Sequence, residues 1–398
     1  MTTAQVVRLA SQDPLGSESF QSALRLAAEH ADDVDVRSRF PSEAIDALRS
    51  AGAFSWFVPR ACGGDAVSFE VLADATFELS RRCASTGMIF AMHQIQVASI
   101  ARHRGSSFWF ENYLQRLTRE QRLIASATSE VGVGGNLRKS IAAIEPASDS
   151  PGAVRFEKDA STISYGAQAD DLLSTVRRSP TAEPGDQVLV LTHLSDMNVK
   201  QISEWNTLGM RGTCSPGFKV SATCDPEQIL PAPFATIAAE TMVPFSHLLW
   251  ANVWLGVSTD AFDRAQNFVR SQARQNPGTT PPAALRLAEM SVQIAECRAM
   301  LRAATQEYVT LAEGEGRSVL STMGYGVRIN NLKIAASETA VEVCHGALRV
   351  CGFLGYKNGG PFSVGRHLRD AHSAPLMIAN DRLHATNAAM LLVHRDVR

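Results

Sequence analysis

The chain has 398 residues, 45% of them apolar and 20% charged, with a formal net charge of −2. That is ample for a large core and too long for one typical compact domain, so two or three domains are expected. The near-neutral balance excludes the basic footprint of a nucleic-acid binder, and no uninterrupted apolar run reaches membrane-spanning length.

Met1 to Pro14 is polar and lacks the basic-then-apolar layout of a signal peptide, which makes a cytoplasmic location the expectation. The first third then reads helical. Ser19–Glu29 and Pro41–Ala51 carry apolar residues three and four apart, with Pro41 in a first turn and Gly52 at a stop. Phe69–Arg82 and Thr86–His103 continue the pattern, giving four or five helices before about residue 123. From Ile124 to about Pro233 the punctuation changes to Gly, Ser, Thr and Pro between short β-prone runs. Val154–Glu157, Thr162–Tyr165, Gln187–His193 and Phe218–Thr223 are predicted strands. The last third returns to helix: Phe245 to about Arg274, a breaker at Gln275–Pro282, then Ala283–Gly314, Asn331–Val350 and Asp381–Leu392. Within Ala283–Gly314 the residues Leu287, Met290, Ile294, Cys297, Leu301, Ala304, Tyr308 and Leu311 form one continuous seam, the mark of a core-facing helix. The seven cysteines are scattered and odd in number, with no C-x-x-C pair, so neither a disulfide framework nor a metal site is expected.

The order helices, small sheet, helices disfavours a doubly wound nucleotide fold. It predicts a mostly α chain with a small central β domain, divided at 1–123, 124–234 and 235–398, the last a helical bundle. The segment Ala125–Arg138, ASATSEVGVGGNLR, sets small hydroxyls before a glycine cluster, a composition that lets backbone approach a flat or phosphorylated ligand.

Taken with Val58–Gly64, Ile163–Asp170, Trp205–Cys214, Val350–Tyr356 and Arg366–Ala371, in that order, this segment resembles the acyl-CoA dehydrogenase family from about residue 20 to the end. The resemblance implies a flavoprotein that binds FAD, as a homodimer or homotetramer. The family's flavin-edge motif falls on Ser129 to Asn136, which puts Ser126, Thr128 and Ser129 at the flavin, with Gly134 and Gly135 in the loop. Its W-I-T/S motif falls on Thr162, Ile163 and Ser164, with Thr162 in place of tryptophan. The motif that holds the adenine end from a neighbouring subunit falls on Arg349 to Tyr356. There Gly352, Gly355 and Tyr356 match, whereas Arg349 and Phe353 do not. Arg274 lies two positions from the family's pyrophosphate-binding arginine. His93, His247 and Trp250 are implied on the substrate side.

The family's dehydrogenases remove an α-proton with a glutamate while hydride passes to the flavin. One position for that glutamate, nine residues after Arg369, is Ile378; the other, early in the long helix, is Ser246. Asp381 and His372 are the nearest substitutes in sequence. His247 replaces the arginine that many members direct at the coenzyme A arm. The resemblance therefore implies a flavin-dependent oxidoreductase acting on an acyl or aminoacyl thioester, on coenzyme A or a carrier protein, with a flavoprotein or oxygen as electron acceptor. The alternatives are a flavin monooxygenase or a non-oxidative flavoprotein on the same fold. Hydroxylases of this fold often place a histidine about eight residues after the R-D pair, where this chain has Met377 and Ile378.

Overall fold

The computed structural model describes residues 13–394. Of the segment Met1–Pro14, residues 1–12 lie outside the described part. Five helices come first: α1 (Glu18–Arg37), α2 (Ser42–Ser50), α3 (Phe69–Arg82), α4 (Ala84–His103) and α5 (Phe108–Glu120). Ser17, Ser68 and Ser107 cap α1, α3 and α5 with their side-chain oxygens, which satisfies N–H groups that the helix cannot. Gly52 follows α2 at φ +73°, as its position after the periodic run predicts.

Seven strands follow: β1 (Ile124–Ala127), β2 (Glu145–Pro146), β3 (Val154–Ala160), β4 (Asp171–Arg177), β5 (Gln187–His193), β6 (Met197–Gln201) and β7 (Phe218–Cys224). They form two sheets, in order β1-β4-β5 and β2-β3-β7-β6. β4 and β5 are buried over six residues each, while β3 and β7 alternate buried and exposed, so one sheet is covered on both faces and the other on one. Thr162–Tyr165 is not a strand, contrary to the sequence expectation. Tyr165 sits at φ +44° with its N–H directed to the Thr213 and Cys214 carbonyls, and its hydroxyl donates to the Ile124 carbonyl. A left-handed residue cannot continue a ladder.

Six further helices complete the described residues: α6 (Phe234–Ile237), α7 (Val243–Gln275), α8 (Ala284–Glu313), α9 (Met323–Tyr356), α10 (Gly365–Ala371) and α11 (Asn380–Val393). One π-helical turn, Ala238–Met242, joins α6 to α7. α7 is buried without a break from Pro244 to Thr259 and packs against α3, α4, α8 and α9, which makes it the axis of the core. The predicted seam of α8 is its buried face: Leu287, Met290, Ile294, Cys297, Leu301 and Tyr308. All seven cysteines are free thiols, and six of them are buried. No described helix is long and apolar enough to cross a membrane.

The segment Trp205–Cys214 clasps the Arg369–Asp370 pair. The Met210 N–H donates to Asp370 Oδ1 at 2.6 Å, Arg211 Nε donates to the Asp35 carbonyl, and Arg369 pairs with the Asp35 carboxylate. A Cβ on Gly209 would lie 2.1 Å from the Arg369 carbonyl oxygen, so the two backbones touch where only a hydrogen fits. Gly209→Ala is expected to lower the unfolding free energy by about 1–3 kcal/mol through overpacking, measured by urea denaturation.

Candidate functional site

The residues singled out in the sequence fall mainly on two stretches of the fold, each forming one wall. The first grows from β1. Beyond its last residue, the Ser129 hydroxyl donates to the Thr162 carbonyl at 2.7 Å and accepts the Thr162 N–H at 3.1 Å. Two motifs 33 residues apart are thereby laid side by side. Ser164, two residues on, accepts a hydrogen bond from Ser215 at 2.8 Å. Ser126, Thr128, Ser129 and Ser164 are all half-buried, which leaves a row of hydroxyls at one edge.

Behind that row Glu130 is locked in place. Its carboxylate accepts from Ser140 Oγ, the Ile141 and Ala142 N–H groups and Lys158 Nζ, at 2.6–3.1 Å. Burial pulls its pKa up, but the Ser140 bond, the Lys158 charge and the two amides outweigh burial and hold the group below its ordinary value. The loop then turns through Gly132, Gly134 and Gly135, all at positive φ. Arg382 on α11 donates to the carbonyls of Gly134 and Gly135, which ties this loop to the last helix.

The second wall is built by α7, α9 and the turn before α11. His247 and Trp250 stand one turn apart on α7, with ring centroids 6.3 Å apart and 26° between planes. Both are buried, and the Trp250 indole N–H has no hydrogen-bond partner among the described residues. Burial, with the nearby Lys333 charge, takes His247 down to about 3, against the smaller opposing effect of an Asn330 side chain placed to hydrogen-bond the ring. The imidazole is therefore neutral. Lys333 on α9 is fully buried. Its three protons go to the Ala374 carbonyl (3.0 Å), the Ile378 carbonyl (3.0 Å) and Asn380 Oδ1 (2.7 Å), and its ammonium lies 5.4 Å from the Trp254 ring centre. Burial lowers its pKa to about 8. The turn that it holds contains Ile378 at φ +50°, a conformation that a β-branched residue adopts only under constraint. Ser246, the other position for a base, donates its hydroxyl to the Met242 carbonyl at 2.6 Å.

Residues 20–121 match the acyl-CoA dehydrogenase N-terminal domain, and residues 237–378 match the acyl-CoA dehydrogenase C-terminal domain. The chain belongs to the acyl-CoA dehydrogenase family. Within this flavoenzyme family its similarities divide between two chemistries. It is 23% identical over 326 residues to a dibenzothiophene monooxygenase of Rhodococcus qingshengii, covering 77% of each chain. It is 28% identical over 358 residues to cyclohex-1-ene-1-carbonyl-CoA dehydrogenase of Geobacter metallireducens, covering 88% of this chain and 89% of that one. Among solved structures, FMN-bound TdsC of Paenibacillus sp. A11-2 superposes with a TM-score of 0.81 at 21% identity, over 95% of this chain and 98% of that chain.

The flavin-edge positions thus lie along the β1 stretch and the two base positions on α7 and the turn before α11, and several other residues singled out in the sequence are placed elsewhere. His93 is drawn into the fold: Nε2 bonds the Phe54 carbonyl at 2.9 Å and Nδ1 accepts the Ile124 N–H at 3.1 Å, so both ring nitrogens are spent on backbone. Asp381 is exposed in the first turn of α11. His372 is half-buried with its ring edge-on to His345, centroids 5.2 Å apart. Arg274 is exposed in the last turn of α7. Gly352 breaks α9 at φ +55°; beyond it Phe353, Leu354 and Tyr356 are exposed while Gly355 is buried. Sequence reasoning missed Lys333. Its signal was a polar line, Asn330, Lys333 and Ser337, spaced three and four apart and buried on an otherwise apolar helix.

Proposed function

We propose that this protein is a flavin-dependent monooxygenase on the acyl-CoA dehydrogenase fold, fed with reduced flavin by a separate reductase. The observation that carries this reading is the state of the two base positions. Ile378 has no proton-accepting group, and the Ser246 hydroxyl is engaged with backbone. A carboxylate that removes an α-proton is essential to thioester dehydrogenation. Oxygen insertion has no such requirement. A bound flavin would supply the two-electron chemistry, passing electrons from reductant to dioxygen, with one oxygen atom going to substrate and one to water.

The chain's own residues would bind and orient. Ser126, Thr128, Ser129 and Ser164 would hydrogen-bond the ring edge, and the Gly134–Gly135 loop would let backbone approach it. Ile378 and the Lys333-held turn would close the substrate side and exclude water. His247 and Trp250 would meet the substrate. FMN is the proposed form, because Arg349 and Phe353 depart from the pattern that holds an adenine end, while Gly352 and Gly355 keep the bend that shapes it. The exposed Phe353, Leu354 and Tyr356 would pack against a second copy in a homo-oligomer. The three sequence regions would act as domains of one cytoplasmic enzyme.

Purified protein is expected to bind FMN about tenfold or more tightly than FAD in fluorescence titrations. Oxygen consumption with reduced FMN should be coupled to product only when a substrate is present. Rapid anaerobic bleaching of bound flavin by acyl thioesters would instead establish the second reading, thioester oxidation, which the 28% identity to the Geobacter dehydrogenase favours.

A further inference from the structure

The α7 face presents more hydrogen-bond donors than the protein uses. Trp250 and Trp254 each carry a buried indole N–H with no partner among the described residues, and neutral His247 carries one N–H and one lone pair, with the Asn330 side chain placed at one of them. Leaving a buried donor unsatisfied costs about 1–3 kcal/mol, so the two indoles on one helix face call for an acceptor. Residues 247, 250 and 254 follow the three-and-four spacing that lines up one face.

The electrostatics select the kind of acceptor. Lys333 lies against Trp254, and all three of its hydrogen bonds go to neutral oxygens. Glu338 is the carboxylate that acts on it electrostatically. That side chain is itself 57% exposed and bonded to Asn380, with His384 at 3.9 Å. The other groups beside the imidazole and ammonium, Asn330 and Asn380, are uncharged. A buried ammonium whose carboxylate neighbour lies largely in solvent disfavours a cation nearby and favours negative charge, and burial strengthens that preference.

We propose that the His247–Trp250 face is a recognition site for a substrate oxygen carrying full or partial negative charge, such as a phenolate, enolate or conjugated carbonyl oxygen, with Lys333 setting the preference for negative charge. This rests on the monooxygenase reading in that the bound group is taken to belong to the molecule oxidised. The ligand oxygen accepts from the Trp250 indole and from one imidazole nitrogen.

The probe is 4-nitrophenol, whose phenolate absorbs separately from its phenol. Titrated against purified protein with FMN bound, the dye is expected to bind as phenolate, with an apparent pKa below that of free dye. Trp250→Phe and His247→Leu should each weaken binding about ten- to hundredfold, the loss of a hydrogen bond to a charged group. Lys333→Met should abolish the downward pKa shift. Neutral toluene and cationic benzylamine, which carry no acceptor oxygen, should not compete. Thermal melts of each variant separate lost binding from lost folding. Dye bound as phenol, equal binding by the cation, or undiminished binding by a folded Trp250→Phe protein would each overturn the proposal. The same titration on flavin-free protein keeps the two readings apart. Phenolate binding by a protein that takes no flavin leaves this site standing and removes the monooxygenase reading. Flavin binding without dye binding does the reverse.

Discussion

Replacing Glu130 by alanine is expected to destabilise the protein by about 3–5 kcal/mol, because it leaves a buried ammonium without its counter-charge. The Lys158 side chain is 0% exposed and its carboxylate partner 4% exposed. The remaining contacts of Lys158, the Thr175 carbonyl at 2.8 Å and hydroxyl at 3.2 Å, are neutral and cannot replace the carboxylate. The same change strips acceptors from Ser140 and from the Ile141 and Ala142 amides. Since Glu130 adjoins Ser129, the loop that carries the proposed flavin edge loses its anchor too, and FMN affinity should fall with stability. The paired variant Glu130→Gln with Lys158→Met removes both charges and is expected to recover most of the loss. Urea denaturation of the two singles and the double measures the coupling. A Glu130→Ala protein as stable as the parent would show that the pair is hydrated and contributes little.

How much of this was legible follows from the range of the interactions. The α8 seam and the helix–sheet–helix order were readable because burial repeats every three to four residues within one segment. Ser129 and Thr162 were found through motifs, and the structure joins them by a hydrogen bond that sequence cannot display. Thr162–Tyr165 failed as a strand because the left-handed Tyr165 is set by the carbonyls of Thr213 and Cys214, about fifty residues on. His93 had the composition of a pocket residue, yet its neighbours are the backbone of Phe54 and Ile124. The turn at Ile378 was located as an empty base position, but its constraint comes from Lys333, whose acceptors lie 41, 45 and 47 residues away. Short-range pattern therefore placed the elements, and the long-range polar contacts that shape the site were out of its reach.

Those buried polar groups also fix the acid limit of the fold. Between pH 7.5 and pH 5 the unfolding free energy is expected to fall by about 6 kcal/mol, through protons taken up by the unfolded chain. Desolvation holds His93, His103 and His367 at about 4 and His247 at about 3 in the folded protein, against 6.5 when unfolded. The folded pKa is depressed, so the unfolded state binds more protons in the window from 6.5 down to 4. The stabilisation is complete above 6.5 and is lost as pH falls through that window. Each histidine forfeits about 2 kcal/mol by pH 5, roughly 8 kcal/mol together. Asp370 works in the opposite sense. Burial raises it from 3.8 to about 6, so its protonation favours the folded state on acidification and returns about 1–1.5 kcal/mol by pH 5. The histidines win because they are four against one. A drop of this size is a large share of the ~5–15 kcal/mol that holds a typical domain together. His103 offers the cleanest test, since its Nε2 contact is the Thr241 hydroxyl at 2.8 Å, away from the proposed substrate face. His103→Gln should lower stability at pH 7.5 but flatten the pH dependence by about 2 kcal/mol. Urea midpoints that stay constant from pH 7.5 to 5 would mean that these rings are already protonated or already reached by water.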